Sequence, residues 1–411
     1  MRKLKFAGHA ANAGNPNWAA LTARPDALYS RADDIRTDFA RDYTRILHSL
    51  AYRRLKHKTQ VFFNVSNDHI CTRMEHVGHV ASVSETIAKT LGLNTELTRA
   101  IAIGHDLGHA PFGHDGEHII SDLAQRHLEK TFWHEQNSLR FVDDLELLED
   151  PYRKLRNLNL TYAVRDGIIS HCGEVDDNGL RPREQLFPLE QFTKPGLFSP
   201  ATWEGCVVKI ADKIAYIGRD IEDAINLGFL DHAQQEYLAE MARANDANAL
   251  NTTVIMHNMM IDICDTSIPE SGICLSAKYF GQMKAIKDFN YANIYHHKRL
   301  EPFKRYAKLV IHEIFQCLLG HFAGNDTWRT LGESREIYPE LIPSFEGWLA
   351  RYCHFSAIPE GSLRAEANRC ENKKVYGGLE SGEIYIQAIL DFISGMTDSY
   401  AIKVFHELIT Y

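Results

Sequence analysis

Apolar side chains recur every third or fourth residue along most of this chain, and that period constrains its fold more than any other feature. Phe39, Tyr43, Ile46, Leu47 and Leu50 keep it through 38–55, and Val77, Val80, Val83, Ile87 and Leu91 form one stripe over 76–91, with Gly92 as a stop. Thr95 reads as the N-cap of a helix that carries Leu97, Ile101 and Ile103 into His105-Asp106. Pro111 is expected to end it, because proline has no amide hydrogen and clashes with the preceding turn. Further helices are expected over 117–128, 135–148, 162–170, 205–227, 234–244, 253–264, 302–319 and 383–406. Strand-like alternation is nearly absent, with 60–65 the best short candidate. Residues 1–28 are small and polar and read as extended or mobile, while the Gly- and Pro-rich 172–204 reads as a long surface loop with room for a short hairpin. The pattern is all-α.

Within that frame, the stretch from Gly104 to Glu117 stands apart. It packs His105, His109 and His114 with Asp106, Asp115 and Glu117 into one short run, broken by Gly108, Pro111 and Gly113. Imidazole and carboxylate together hold divalent metals, and the remainder can move protons beside them. On a helix His105 and His109 would share a face, with Asp106 projecting roughly 100° round from His105. Two ligands do not complete a site, and two other segments offer more. His76 lies at the start of an apolar helix, beside Arg73. Asp212 sits inside the apolar stretch 207–216, where an unanswered carboxylate would cost several kcal/mol. Lys213, Tyr216, Arg219 and Asp220 occupy the same few turns.

The net charge of −9 over 411 residues argues against a generally cationic nucleic-acid or membrane binder, so a polyanion would have to meet a local Lys/Arg cluster. The eight cysteines include no C-x-x-C pair and read as buried small hydrophobes in a reducing compartment. No apolar run reaches membrane-spanning length and no signal core follows the basic start, so a cytoplasmic protein without membrane contact is the expectation.

The order His76, His105-Asp106, Asp212 resembles the H…HD…D pattern of the HD-domain metal phosphohydrolases. A longer match is more specific. Residues 53–61 (RRLKHKTQV), the His105–Glu117 run, Trp133-His134-Glu135-Gln136, Thr202 to Gly205 leading into 212–216, and the C-terminal 391–401 resemble the deoxynucleoside triphosphate triphosphohydrolases (dGTPase/dNTPase-like). The resemblance spans about 35–405. It implies hydrolysis of a dNTP, with dGTP the candidate preferred substrate, between the α-phosphate and the 5′ oxygen, giving deoxynucleoside and inorganic triphosphate. It implies His76, His105, Asp106 and Asp212 as ligands of one divalent ion, drawn from Mn, Mg, Co, Ni, Fe or Zn. It makes His114 and Glu117 the proton-handling pair and places His109 and His134 near the phosphates. Arg73, Lys213 and Tyr216 become phosphate or sugar contacts, Gln60 a contact to the sugar, and Asp220 a weaker candidate in that region. It further implies a homo-oligomer, such as a hexamer, with single-stranded DNA or a nucleotide effector as further partners. The expected division is an extension over 1–34, a catalytic core over 35–230, and a helical region over 231–411 completing the pocket and subunit contacts.

Plainer readings exist for single residues. Asp212 alone suits an ion pair with Lys209, Arg73 a surface charge, Gln60 a turn amide, Lys213 and Tyr216 helix packing, and the basic run 53–58 a solvated face. His127, His171, His296, His297, His312, His321 and His354 lack a metal spacing, the doublet in Tyr295-His296-His297 because adjacent residues on a helix diverge, and Arg219 carries no assignment. The alternatives for the whole chain are an HD-domain nucleotide phosphomonoesterase or phosphodiesterase, and a nucleotide- or single-strand-binding protein of the same fold.

Overall fold

A computed structural model describes residues 4–27, 33–62, 69–172, 178–243 and 252–410. The architecture is all-α: helices follow one another through the described residues, and the one sheet among them has two short strands. The chain forms two compact units, each assembled from separated segments. The first comprises Met1–Leu47, Gln60–Asp106 and Asn159–Glu301; the second comprises His48–Thr59, Leu107–Leu158 and Pro302–Tyr411.

The first unit is built round the Trp203–Asn226 helix, whose side chains from Cys206 to Ala215 are buried. A helix covered on every side lies in the middle of its core, and here the covered residues include the charged Lys209, Asp212 and Lys213. Thr202 caps it by accepting the Gly205 amide hydrogen. The Arg73–Leu91 helix packs against it, opened by a reciprocal Thr72/Glu75 capping box and stopped by Gly92 at φ 87°. The Thr95–Gly104 helix is capped by Asn94 rather than Thr95, because the Asn94 side chain accepts from the amides of Glu96 and Leu97. It packs closely on Tyr162–Ser170: a Cβ on Gly167 would lie 2.5 Å from Ile101 Cδ1. The described opening residues, from Leu4 on and expected to be extended or mobile, are docked. Phe6 is buried with its ring 4.9 Å from that of Trp203, and Lys5 Nζ donates to the carbonyls of Cys264, Asp265 and Ser267. The described part of the expected loop, 178–202, is also tied down. Arg183 lies over Phe187 and pairs with buried Asp166, and Leu180 exchanges main-chain hydrogen bonds with Ile273 instead of forming a local hairpin.

The second unit packs the Gly113–Leu128 helix against Gly382–Ser394, with Leu341–Tyr352 and Asp398–Ile409 in the same unit. Arg140 forms a two-pronged pair with Asp391, which also accepts from Tyr376 Oη. The sheet pairs Leu147–Glu149 antiparallel with Leu155–Asn157.

Several expected boundaries move. The helix over 38–55 breaks at Ser49, which caps a new helix from Leu50. The one over 135–148 is helical only through a widened turn at Phe141–Leu145 and then turns into strand. The one over 383–406 is two helices, the second capped by Thr397. Residues 60–62 are not strand, and 63–65 lie outside the described residues. None of the eight cysteines is in a disulfide.

Candidate metal centre and histidine cluster

The helix that enters the His105–Glu117 run ends at Gly104, seven residues before Pro111. His105 is therefore its C-cap, and the helical spacing expected between His105 and His109 does not apply. That ending is chemically useful. His105 Nδ1 lies 2.6 Å from the Ala102 carbonyl oxygen, which only accepts, so Nδ1 carries the proton and Nε2 the lone pair. A main-chain carbonyl that accepts from one ring nitrogen and so fixes the tautomer is the usual support of a metal-binding imidazole. His171 repeats the device at the C-cap of Tyr162–Ser170, its Nδ1 2.6 Å from the Ile168 carbonyl oxygen.

In this unit His76, His105, Asp106 and Asp212 come together, all buried. His76 Nε2 lies 3.0 Å from Asp212 Oδ1 and 3.9 Å from Asp106 Oδ2; His105 Nε2 lies 3.7 Å from Asp212 Oδ1 and 3.5 Å from Asp106 Oδ1. Ligand atoms bound to one ion at about 2.0–2.2 Å stand roughly 3.0–3.5 Å apart, so these separations fit a shared divalent cation. The donor set of two imidazoles and two carboxylates fits the same ion class. His76 Nδ1 is buried without a hydrogen-bond partner. Burial pushes the Asp212 carboxyl up, but the His76 hydrogen bond and the charges of His105 and His76 outweigh it and hold the group at about 2. Burial likewise opposes a charge on His76, and Asp212 and Asp106 raise its pKa above 6.5 all the same. Asp212 is answered by histidine, not by Lys209.

Arg73 is 1% exposed, so it is no surface charge. Its Nη1 donates to Asp106 Oδ2 at 2.7 Å, while Nε and Nη2 are buried without partners. Gln60 lies in the same unit with Oε1 buried and without a partner. Lys213 is buried and Tyr216 half-buried on the Trp203–Asn226 helix, one and four residues beyond Asp212. Asp220 is buried and accepts from Tyr295 Oη at 2.5 Å, an aromatic partner that spacing alone did not identify. Arg219 pairs with Glu222 at the surface. His171, which also lacked a spacing signal, has its ring 4.8 Å from that of His105 and groups with His105 and Asp106.

His109, His114, Glu117 and His134 gather in the second unit. Glu117 is the hub. It accepts the His134 main-chain amide hydrogen at 2.8 Å and lies 3.1 Å from His114 Nδ1 and from His134 Nδ1. Burial pushes the Glu117 carboxyl up, but the charge of His134 and the hydrogen bonds from His114 and His134 hold it well below the usual glutamate range. An ionised carboxylate only accepts, so both imidazoles donate from Nδ1 and keep Nε2 for other work. His109 stacks on His134 with ring centres 3.9 Å apart. The His114 side chain is 57% exposed, whereas Glu117 and His134 are largely covered.

The match described as the HD domain covers residues 73–217, from Arg73 through Asp212 to one residue past Tyr216. Across nearly the whole chain, 31% of 377 residues are identical to a deoxyguanosinetriphosphate triphosphohydrolase-like protein of Caldanaerobacter subterraneus, covering 91% of this chain and 86% of the relative. The chain belongs to that family of HD-domain hydrolases. Proteins of the same description from Clostridium tetani (32% identical, 78% of this chain and 84% of the relative) and Desulfatibacillum aliphaticivorans (37%, 70% and 75%) are similar as well. HD domains are metal-dependent, and this HD-domain chain carries a His/Asp group suited to an ion. Among the described residues no helix is long and apolar enough to cross a membrane.

Proposed function

We propose that this HD-domain hydrolase cleaves deoxynucleoside triphosphates into deoxynucleoside and inorganic triphosphate. The observation that carries the reading is the buried convergence of His76, His105, Asp106 and Asp212, with His105 locked in the ligating tautomer. A divalent ion held there supplies Lewis-acid polarisation of a phosphoryl oxygen. The mixed imidazole and carboxylate set suits Mn, Mg, Co, Ni, Fe or Zn.

The chain's own groups do the rest. A 5′ alkoxide leaving group needs a proton, and His114 is the candidate donor through Nε2, with Glu117 holding its Nδ1–H and supporting the charged imidazole. His134 shares the same carboxylate, so the two imidazoles are held by one anion, and His109 stacks on His134 and meets His114 edge-on. A triphosphate carries about four negative charges, which calls for charge-assisted donors. Arg73 retains two unused donor nitrogens, Nε and Nη2, and Lys213 lies next to Asp212 in the chain. Gln60 presents a partnerless amide oxygen suited to a sugar hydroxyl, and Tyr216 and Asp220 follow on the same helix. The names of the relatives favour dGTP as the first substrate to try.

The test is incubation with Mn²⁺ and each of the four dNTPs, singly and mixed, with the phosphate products separated. Triphosphate release, abolished by EDTA, is expected. Orthophosphate or pyrophosphate alone would overturn the reading in favour of a phosphomonoesterase or phosphodiesterase. Metal-independent oligonucleotide binding without turnover would favour a binding protein of the same fold. His114→Ala is expected to spare metal binding while turnover falls by about 10²-fold or more.

A further inference from the structure

The basic run 53–58 is not wholly a solvated face: Lys58 is 1% exposed. Its Nζ donates to the His109 carbonyl oxygen, and to the Ser394 carbonyl oxygen at 3.0 Å. The next residue, Thr59, donates through its amide and its hydroxyl to Asp398 Oδ2, at 3.1 and 2.7 Å. The other oxygen of buried Asp398 accepts the Phe112 amide hydrogen at 2.9 Å. These groups all belong to the second unit. Lys58-Thr59 and Ser394–Asp398 thus close on the two ends of the His109–Phe112 loop, one by a buried cation and one by a buried anion.

What they hold is a costly conformation. Phe112 sits at φ 64° as the N-cap residue of the helix carrying His114 and Glu117, and Gly113 follows at φ 60°. A non-glycine residue in the left-handed region costs of order 1–3 kcal/mol and persists only where its surroundings over-determine it. Burying an ammonium and a carboxylate is costly too, unless both are fully answered. Lys58 and Asp398 between them answer the carbonyls of His109 and Ser394 and the amides of Thr59 and Phe112, which apolar side chains of the same size would leave without these partners.

We infer that Lys58 and Asp398 are positioning residues that clamp the His109–Phe112 loop and thereby set His109 and His114 for catalysis. This rests on the reading of those histidines as working groups of the proposed hydrolase. Each clamp residue acts through the backbone it holds.

The test uses the full chain with Asp398→Asn and, separately, Lys58→Met. Asparagine turns an NH₂ toward either the Phe112 amide or the Thr59 donors, so at least one bond must break. Three quantities are measured: amide hydrogen exchange of peptides covering 107–114 by mass spectrometry, Mn²⁺ affinity by calorimetry, and kcat apart from KM. The expected result is exchange at least tenfold faster and kcat at least tenfold lower, with KM and Mn²⁺ affinity within twofold of the parent. Thr59→Val, which deletes one hydroxyl donor, should move the same readouts less and serves if either charge variant fails to fold. A lowered melting temperature with unchanged kcat, or loss of Mn²⁺ affinity in step with kcat, would show general destabilisation and overturn the inference. Parent-like exchange over 107–114 in the variants would overturn the clamp alone. Absence of any triphosphate release by the unsubstituted chain would instead overturn the hydrolase reading, since the exchange measurement needs no substrate.

Discussion

Gly108 lies between the candidate metal ligand Asp106 and His109, and the space around it admits no side chain. A Cβ placed there would stand 2.1 Å from Ser138 N, 2.3 Å from Asn137 C and 2.6 Å from Ser138 Cα, where ordinary contact begins near 3.4 Å. All three obstacles are backbone of the His134–Arg140 helix, so no rotamer change relieves them. Gly108→Ala must push that backbone away by more than about 1 Å, an overpacking cost of roughly 1–3 kcal/mol. The displacement also breaks the Gly108 N–H bond to Ser138 Oγ (2.9 Å) and the Asn137 Nδ2 bond to the Gly108 carbonyl oxygen (2.6 Å). At about 1 kcal/mol each, these bring the loss to about 3–5 kcal/mol. The matched control is Gly78→Ala, in the middle of the Arg73–Leu91 helix, where an added Cβ meets nothing within 4 Å. There the same chemical change should stabilise by about 0.5–1 kcal/mol through helix propensity. Urea unfolding of the two variants and the parent is the assay, with turnover measured alongside. A Gly108→Ala midpoint equal to or above that of the parent would refute the close-packing argument.

Two further outcomes follow from buried carboxylates. Burial raises Asp223 from the ordinary 3.8 to about 6, although its carboxylate accepts the Cys71 amide hydrogen. A carboxyl whose folded pKa is raised contributes stability that is present below pH 3.8 and is lost as pH climbs through about 6. Asp223→Asn, which still accepts that amide hydrogen, should raise the melting temperature at pH 7 and leave it unchanged near pH 4; an equal shift at both pH values would exclude ionisation as the cause. Asp106→Ala should abolish Mn²⁺ binding and also strip buried Arg73 of its carboxylate, a loss of about 3–5 kcal/mol. Adding Arg73→Met should restore stability but not metal affinity, and a double variant no more stable than the single would refute the charge-balance account.

Much of this was legible in the residues because it depends on local periodicity and on chemistry carried by side-chain type. The 3.6-residue stripe of Val77, Val80, Val83 and Ile87 and the Gly92 stop reappear in the structure. His114 and Glu117, which the family resemblance paired, stand three residues apart on a helix and share a hydrogen bond. Less legible was where helices end. Ser49, Asn94 and Thr397 decide where new helices begin by turning a side-chain oxygen onto amides two or three residues ahead; Ser49 and Thr397 do so inside a continuing apolar pattern, and Asn94 beside Thr95, an equally plausible cap by type. The early end at Gly104 likewise could not be read from Pro111, because Pro111 sets only the furthest point a helix can reach.

By itself, then, the sequence determined an all-α class, through its period, and the residue types able to hold a divalent ion and move protons. Only the tertiary structure decided which of them meet. His171 has no helical spacing to His105, yet the close approach of two helices at Gly167 and Ile101 sets their C-caps, and so the two imidazoles, side by side. Lys58 looked like one more solvated cation until the chain folded its ammonium onto carbonyls of His109 and Ser394, up to 336 residues away. Periodicity is a property of neighbours within a few turns, whereas a buried charge is answered by whatever the packing of distant segments brings to it.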